Sequence, residues 1–455
     1  MNRLIYSRLL EWKESRHRCP LVIRGVRQCG KTYIMERFGR ENYEDMAYFS
    51  FEGNDRLQSV FEGDLDPKRI IRDINLKFGT SITEKTLIIF DEIQFSNRAL
   101  TSLKYFCETA PEYHVMCAGS LLGLMLSRPL SFPVGKVDML TLRPMNFREF
   151  LMAAGNDALT AYLDTSDSNE PVSDAAAEAF DGIYRQYMCV GGMPEAVREW
   201  METGDMKKVG AVHAKILDSY VLDFAKHAPP KDVQRLNFIW RSIPGQLSKE
   251  NRRFMFGHAV EGSRSKDLEE DLQWLLDAGM VYKVRKISRP SVPVSAYASE
   301  KLFKLYGCDV GLMRTMAGVP AGAILLKDEG YREFKGGMTE NFVLTELVAA
   351  GYGDIVYWGS DNRAEVDFVV MTDIGAVPIE VKSETRVRAA SLAEYIKTYD
   401  PRAALLISKK NLRRGEITYL PLWLAGSLEK YVTPNDGKSF EGDGSDRSHG
   451  ISKPP

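Results

Sequence analysis

The sequence predicts an α/β protein built from several domains. Three observations predict it: short apolar runs alternate with helical stretches through the first ~150 residues, a glycine-rich stretch joins the first run to a helical pattern, and strand-like runs return from about Ser295 onward. Apolar runs that do not alternate with polar residues are typical of strands in a parallel sheet covered on both faces. The chain has 455 residues, and at roughly 100–200 residues per domain this length predicts about three domains.

The composition is that of a globular chain without a strong global charge. Hydrophobic residues make up 44% and charged residues 27%, and the formal net charge is -2. Such a chain can bury proper cores, and any basic surface for nucleic acid must be local. The longest apolar run, residues 115–126, is shorter than the ~20 residues that a bilayer-spanning helix needs. We therefore expect a cytoplasmic protein without a membrane partner.

Six cysteines are spread along the chain, and none stands in a C-x-x-C pair. The histidines do not cluster with them. These spacings predict neither a zinc site nor a disulfide framework, so reduced thiols are expected.

Five apolar runs predict the strands of an N-terminal domain, residues 1–150. They are residues 21–24, 47–51, 86–90, 114–118 and 137–142. Residues 151–230 are predicted to be a helical lid or linker region. It contains a polar loop at 164–174 and a break at Val190-Gly191-Gly192-Met193-Pro194.

The second half is predicted to contain two further units and a tail. Residues 231–295 show short helices followed by a strand at 280–287, which suggests a winged-helix-like segment. Residues 296–432 are predicted to form a C-terminal α/β domain, with a helix at 339–350 and strands at 297–306, 355–358, 365–370, 377–381 and 404–408. Residues 433–455 are low in apolar residues and are expected to be disordered.

The glycine-rich stretch matches the phosphate-binding pattern G-x-x-x-x-G-K-[ST]. It reads Gly25-Val26-Arg27-Gln28-Cys29-Gly30-Lys31-Thr32, between a strand-like run and a plausible helix. The glycines let the backbone curl so that its N–H groups point at phosphates. Lys31 is expected to reach the β- and γ-phosphates, and the Thr32 hydroxyl to ligate Mg²⁺. We predict ATP with Mg²⁺ as the ligand; the alternative is a chance glycine turn.

The run LIIF is followed directly by Asp91 and Glu92. It predicts a buried strand whose carboxyl end carries both acids, at the edge where open α/β sheets bind ligands. Asp91 is expected to hold Mg²⁺ through water, and Glu92 to polarise the attacking water. Ser120 ends the next strand and is either a γ-phosphate sensor or a helix N-cap.

Several stretches together resemble the prokaryotic AAA-type ATPases that carry a C-terminal domain of unknown function. They are GVRQCGKT paired with LIIFDEIQ, then CAGSLLG, RPMNFREF, GGMPEA, FKLY with DVGL, and FKG. The resemblance covers roughly residues 1–425. It implies an AAA-type P-loop domain that binds and hydrolyses ATP; the motifs after RPMNFREF carry no known chemistry.

The resembled family often has Gly-Arg shortly before its fifth strand, and this chain has Gly135-Lys136. A lysine lacks the guanidinium fork that contacts a γ-phosphate. An arginine finger at this position is therefore in doubt, and Arg128 and Arg143 are possible substitutes. An arginine acting between subunits would require a homo-oligomer.

The middle segment has a local surplus of positive charge. A helix followed by the basic strand at 280–287 is typical of a winged helix-turn-helix, which can put a helix in the DNA major groove. The expected phosphate contacts are then Lys249, Arg252, Arg253, Arg264 and Lys266. The alternative is a helical interaction domain with solvated charges.

The C-terminal domain carries a pattern that resembles the PD-(D/E)xK nuclease core. Asp367 precedes Glu380 and Lys382, with Glu340 on an upstream helix. Alternation along a strand puts Glu380 and Lys382 on one face. Asp367 and Glu380 would hold Mg²⁺, and Lys382 would orient or help deprotonate a water. The same core also serves as a non-catalytic scaffold.

The sequence therefore predicts an ATP-binding, ATP-hydrolysing protein that couples hydrolysis to conformational change, with DNA as a possible partner. Two alternatives stay open: an ATP-controlled, Mg²⁺-dependent DNA nuclease, and a nucleotide switch that recruits a protein partner without cleaving nucleic acid.

Overall fold

The computed structural model describes residues 1–119, 133, 135–165, 169–249, 252–259, 265–325, 331–360, 364–384 and 389–432. Ser120, Arg128, Arg264 and the predicted tail 433–455 lie outside the described residues.

The first domain is a five-stranded parallel sheet of order β2-β3-β4-β1-β5, flanked by helices. Its strands are β1 (Leu21–Arg24), β2 (Asp45–Ser50), β3 (Thr86–Asp91), β4 (His114–Gly119) and β5 (Asp138–Thr141). Its helices are α1 (Ile5–Glu14), α2 (Lys31–Asn42), α3 (Asp55–Gln58), α4 (Pro67–Phe78) and α5 (Asn97–Thr109), with 3₁₀ turns at Ser59–Phe61 and Ile93–Phe95. The predicted parallel α/β domain is confirmed.

Strand β3 is buried along its whole length, because both faces of the sheet are covered. Leu87 and Ile89 belong to the core on one face, and Ile88 and Phe90 to the core on the other. Two-sided burial explains why this run is continuously apolar rather than alternating.

A helical layer follows the sheet. It contains α6 (Phe147–Ala153), α7 (Asp157–Thr165), α8 (Asp174–Val190), α9 (Pro194–Thr203), α10 (Met206–His227), α11 (Pro230–Leu247), α12 (Phe256–Ala259) and α13 (Ser265–Asp277). Helix α6 begins with a capping box, in which Asn146 accepts from the backbone of Glu149 and Glu149 accepts from that of Asn146.

The C-terminal half is organised around a seven-stranded mixed sheet of order β12-β11-β10-β9-β8-β6-β7. Its strands are β6 (Val281–Ile287), β7 (Ala298–Gly307), β8 (Val356–Gly359), β9 (Glu365–Thr372), β10 (Gly375–Val381), β11 (Leu405–Ser408) and β12 (Thr418–Pro421). Its helices are α14 (Val310–Met316), α15 (Ala321–Leu325), α16 (Arg332–Ala349) and α17 (Ala390–Tyr399), with 3₁₀ segments at Val294–Tyr297 and Leu422–Tyr431.

Strand β6, predicted for the winged-helix-like segment, belongs to this large sheet. It pairs antiparallel with β7 and parallel with β8. The expected boundary between residues 295 and 296 therefore falls inside the β6–β7 connection rather than between two closed units.

Three of the stretches that resemble the ATPase family meet at one buried junction. The backbone N–H of Met145 donates to the carbonyl of Gly192 at 2.7 Å, and the N–H of Gly192 donates to Oδ2 of Asp309 at 2.5 Å. Asp309 also caps α14 by accepting from the N–H of Leu312. These motifs therefore join the P-loop domain to the C-terminal half.

One expectation about the cysteines is corrected. Cys19 and Cys107 form a disulfide, whereas the other four cysteines are free and buried. The pair is 88 residues apart in sequence and is brought together by the fold, so local spacing gave no sign of it. In the described part of the chain, none of the helices has the length and apolar character needed to cross a bilayer.

Candidate functional site

The predicted phosphate loop connects β1 to α2, as its pattern requires. Gly30 has φ 95°, a left-handed conformation that favours glycine, and α2 begins at the next residue. Nζ of Lys31 donates to the carbonyls of Gly25 at 2.9 Å and Val26 at 3.0 Å. These bonds hold the ammonium against the curled backbone, beside the head of the helix.

Thr32 and Asp91 form the part of the site that suits a divalent cation. Oγ1 of Thr32 donates to Oδ2 of Asp91 at 2.6 Å, and the Tyr48 hydroxyl donates to the same oxygen at 2.9 Å. Asp91 is buried. A hydroxyl and a carboxylate side by side are the oxygen donors that Mg²⁺ prefers, so the residues present fit the predicted metal.

Glu92 lies directly beyond β3 in a constrained backbone conformation. Its φ is 50°, and its backbone N–H donates to Oδ1 of Asp91 at 2.9 Å. Nε2 of Gln94 donates to Oε2 of Glu92. A non-glycine residue in the left-handed region is uncommon and is found disproportionately at functional sites.

A cavity of about 720 Å³ opens beside the loop and contains Lys31, Thr32 and Glu92 in its lining. Its volume is within the range of small-molecule sites. The opposite wall is formed by α9, with Pro194, Arg198 and Met201. Sequence reasoning missed this wall, although the break at residues 190–194 marked the start of α9.

Helix α10 contacts both the side chains and the backbone of the phosphate loop. Arg27 forms an ion pair with Asp223. Nε2 of Gln28 donates to Oγ of Ser219 at 3.0 Å, and the Tyr220 hydroxyl donates to the carbonyl of Arg27 at 3.2 Å. Gln28 has φ 64°, so these contacts help to fix a strained residue.

The pKa of the Asp223 carboxyl is changed by its position under the phosphate loop. Burial raises its pKa, and the nearby charge of Arg27 opposes that rise. No pattern in the sequence pointed to Asp223, because it lies on an ordinary-looking amphipathic helix.

The structure places Lys136 and Arg143, two positions considered for contact with the γ-phosphate, in different surroundings. Nζ of Lys136 lies 2.9 Å from Oε1 of Glu108. Arg143 lines a different cavity, of about 480 Å³, on the Gly25 side of the loop together with Tyr282. Burial raises the pKa of Tyr282 to about 12, and Arg143 opposes this.

The acidic residues of the C-terminal domain converge, but basic side chains lie among them. Glu340, Asp367 and Glu380 are buried, as is Lys304 on β7. Nζ of Lys304 lies 2.6 Å from Oε1 of Glu365 and 3.8 Å from both Oε2 of Glu340 and Oδ1 of Asp367.

Arg252 is a second basic residue among these carboxylates. It pairs with Glu340, and its Nη1 lies 3.8 Å from Oδ1 of Asp367. Within the described residues, no group of three or more His, Cys, Asp or Glu side chains is arranged to hold a metal ion. Sequence reasoning missed Lys304 because a lysine in an alternating strand is normally expected to face water.

The predicted Glu380 and Lys382 are neighbours, with Glu380 on β10 and Lys382 directly after its last residue. Nζ of Lys382 lies 2.9 Å from Oε1 of Glu380. Burial raises the pKa of the Glu380 carboxyl. Burial alone would lower the pKa of Lys382, but the charges of Asp367 and Glu380 outweigh it and raise that pKa.

Two of the expected phosphate contacts of the middle segment, Arg252 and Lys249, lie against other protein groups. Arg252 points into the acidic cluster, and Nζ of Lys249 lies 3.2 Å from Nδ1 of His258. On β6, Lys283 and Arg285 both pair with Glu300. The side chain of Lys266 lies outside the described residues.

Comparison with known protein families finds matches to three separate stretches of the chain. A family model described as an AAA domain matches residues 17–151. Two models described as domains of unknown function match residues 181–322 (DUF8612) and 335–425 (DUF4143). No curated protein matches the chain in sequence.

Several solved structures are remotely similar. The Walker-type ATPase PABY2304 of Pyrococcus abyssi is 15% identical over 70% of this chain and 95% of its own, with a TM-score of 0.44. AMPPCP-bound DnaA from Aquifex aeolicus is 12% identical over 61% of this chain and 88% of its own, with a TM-score of 0.28. The Thermotoga maritima RuvB Holliday junction branch migration motor is 14% identical over 62% of this chain and 89% of its own, with a TM-score of 0.30.

The family match and the phosphate loop between the first strand and its helix agree: residues 17–151 are similar to an AAA domain of the P-loop type.

Proposed function

We propose that this protein binds Mg²⁺·ATP at the phosphate loop and hydrolyses it with Glu92 as the residue that polarises water. The hydrogen bond between Thr32 and Asp91, at 2.6 Å, carries the proposal. It places side by side the two oxygens that are expected to face Mg²⁺, and Thr32 directly follows Lys31. Lys31 neutralises the β- and γ-phosphates, and the cavity between the loop and α9 accommodates the rest of the nucleotide.

The test separates binding from turnover. Glu92→Gln keeps the shape of the side chain but loses the basic carboxylate, so it is expected to bind a fluorescent ATP analogue as wild type does and to lose most hydrolysis. Lys31→Ala is expected to lose binding itself. Glu84→Gln, an exposed position of the same domain, is the matched control. Turnover by Glu92→Gln equal to that of Glu84→Gln would refute the role of Glu92.

The contacts of α10 support a coupling between the nucleotide and the C-terminal half. Ser219, Tyr220 and Asp223 all touch the loop, while His213 of the same helix lies 2.9 Å from Oγ1 of Thr315 on α14. A change in the loop would therefore reach a continuous helix that also contacts the C-terminal half. Hydrogen exchange of α10, measured with and without ATP, tests this coupling: equal exchange in both conditions would count against it.

A second candidate function is cleavage of DNA by the C-terminal domain. The closeness of Glu380 and Lys382, beside Asp367 on the neighbouring strand, favours it. The positions of Lys304 and Arg252 oppose it, because these two basic groups already lie against Glu340, Glu365 and Asp367. Nicking of a plasmid in Mg²⁺ by wild type and by Asp367→Ala distinguishes the possibilities, since equal nicking by both removes the nuclease hypothesis.

A further inference from the structure

Hydrolysis of ATP by a P-loop domain is strongly accelerated by an arginine on the γ-phosphate, by about 10³–10⁵-fold. At the position expected for such an arginine, the chain has Lys136, which is paired with Glu108. Arg143 lines a separate cavity. Arg27 lies inside the phosphate loop itself, four residues before Lys31.

Arg27 lines the same cavity as Lys31, Thr32 and Glu92. Its side chain is 39% exposed, whereas its partner Asp223 is 8% exposed on α10. The guanidinium is thus the more exposed member of this ion pair, and it lines the cavity that contains the proposed reacting groups.

We propose that Arg27 is a catalytic arginine of this ATPase, held by Asp223 at rest and transferred to the γ-phosphate when ATP binds. This inference rests on the proposed function of the same site. A triphosphate offers the guanidinium several negative oxygens in place of one carboxylate, and the planar fork of arginine matches phosphate geometry.

The local charges favour such an exchange. Burial already disfavours the charged form of Asp223, even beside Arg27, since its pKa remains raised. Keeping the carboxylate of Asp223 charged therefore costs desolvation free energy, and this cost reduces the net stabilisation that the ion pair with Arg27 provides. A carboxyl that takes up a proton more readily can release the arginine without leaving a fully charged group behind.

Hydrolysis of ATP at this site needs water as its only other reactant. The oxygen of water attacks the γ-phosphorus, and the bond between that phosphorus and the β–γ bridging oxygen breaks. The electron pair of the broken bond passes to the leaving β-phosphate of ADP, and the proton of the attacking water passes towards Glu92. Arg27 keeps its protons throughout and stabilises charge on the γ-phosphoryl oxygens.

The inference predicts opposite effects for the two members of the ion pair. Arg27→Ala is expected to lower kcat by about 10³-fold, with a much smaller loss of affinity for AMPPNP. It should also lose tight binding of ADP with aluminium fluoride, which mimics the transferring phosphoryl group. Asp223→Asn is expected to raise kcat above the wild-type value, because it frees the arginine.

Arg72→Ala, an exposed arginine of the same domain, is the control, and Arg27→Lys serves if the alanine variant does not fold. A fall in kcat for Asp223→Asn that matches the fall for Arg27→Ala would overturn the inference, since the pair would then be a structural tie. Unchanged kcat in Arg27→Ala, with active wild type, overturns it and leaves the proposed ATPase standing. Wild type without any hydrolysis refutes both.

Discussion

The hydroxyl of Thr32 lies 2.6 Å from Oδ2 of Asp91, although 59 residues separate them in sequence. Thr32 is in the first turn of α2, and Asp91 is the last residue of β3. In a parallel sheet the carboxyl ends of the strands meet at one edge, so a helix that follows β1 is brought next to the end of β3. The pair marks the position at which the metal of Mg²⁺·ATP is expected.

Asp91→Asn is predicted to weaken the use of Mg²⁺ without abolishing nucleotide binding. The amide has no negative charge for the metal or its bound water, and losses at such supporting positions are about 10–100-fold in metal affinity. The Mg²⁺ concentration for half-maximal ATPase activity should rise accordingly. Asp55→Asn, an exposed position, is the control, and an Mg²⁺ titration identical for both variants would contradict the role of Asp91.

Gly192→Ala is predicted to destabilise the junction between the two halves of the chain. A Cβ added there would lie 1.9 Å from the backbone oxygen of Met145, whereas a Cβ at Gly182 on α8 would meet nothing within 4 Å. Backbone cannot move aside as a flexible side chain can, so we expect a loss of several kcal/mol, of the order seen for overpacked cores. Gly182→Ala should be neutral or stabilising. Thermal unfolding of both variants tests this, and equal midpoints would argue against a tight junction.

Local patterns in the sequence were sufficient for the phosphate loop, the acidic end of β3 and the strands of the first sheet. Each of these depends on residues within one or two adjacent elements. The contacts of α10 with the loop join residues 191 and 196 positions apart, and no periodicity encodes them. Lys304 was missed for the same reason, because its burial depends on carboxylates from α16 and β9. Long-range packing, rather than local conformation, decides these positions.

Lys304→Met is predicted to destabilise the C-terminal domain strongly. The substitution fills the space but removes the buried ammonium beside Glu340, Glu365 and Asp367. Breaking a buried ion pair leaves uncompensated charge, at a cost of about 3–5 kcal/mol. Lys301→Met changes an exposed lysine of the same strand and should have little effect. Chemical denaturation of the two variants provides the measurement, and similar stabilities would mean that solvent already screens the cluster.

Glu346 is a buried carboxyl that faces the P-loop domain from α16. Its Oε1 accepts from the backbone N–H of Phe147 at 2.8 Å. Burial raises its pKa from 4.5 to about 8, with a further contribution from Glu149, while the bond from Phe147 opposes the rise. The folded protein therefore keeps this proton across a pH range in which the unfolded chain releases it.

Stability is predicted to fall as the pH rises from about 4.5 to about 8, because over this window the folded state binds the proton of Glu346 and the unfolded state does not. One such group contributes a slope of about 1.4 kcal/mol per pH unit. Glu346→Gln keeps an acceptor for Phe147 and removes the titration, so its stability should match wild type near pH 5 and exceed it by roughly a few kcal/mol at pH 8. Glu429→Gln changes an exposed residue that lines one cavity together with Glu346, and it should follow the wild-type curve. Denaturation series across this pH range test the difference, and parallel curves for Glu346→Gln and wild type would show that the carboxyl is ionised in the folded protein.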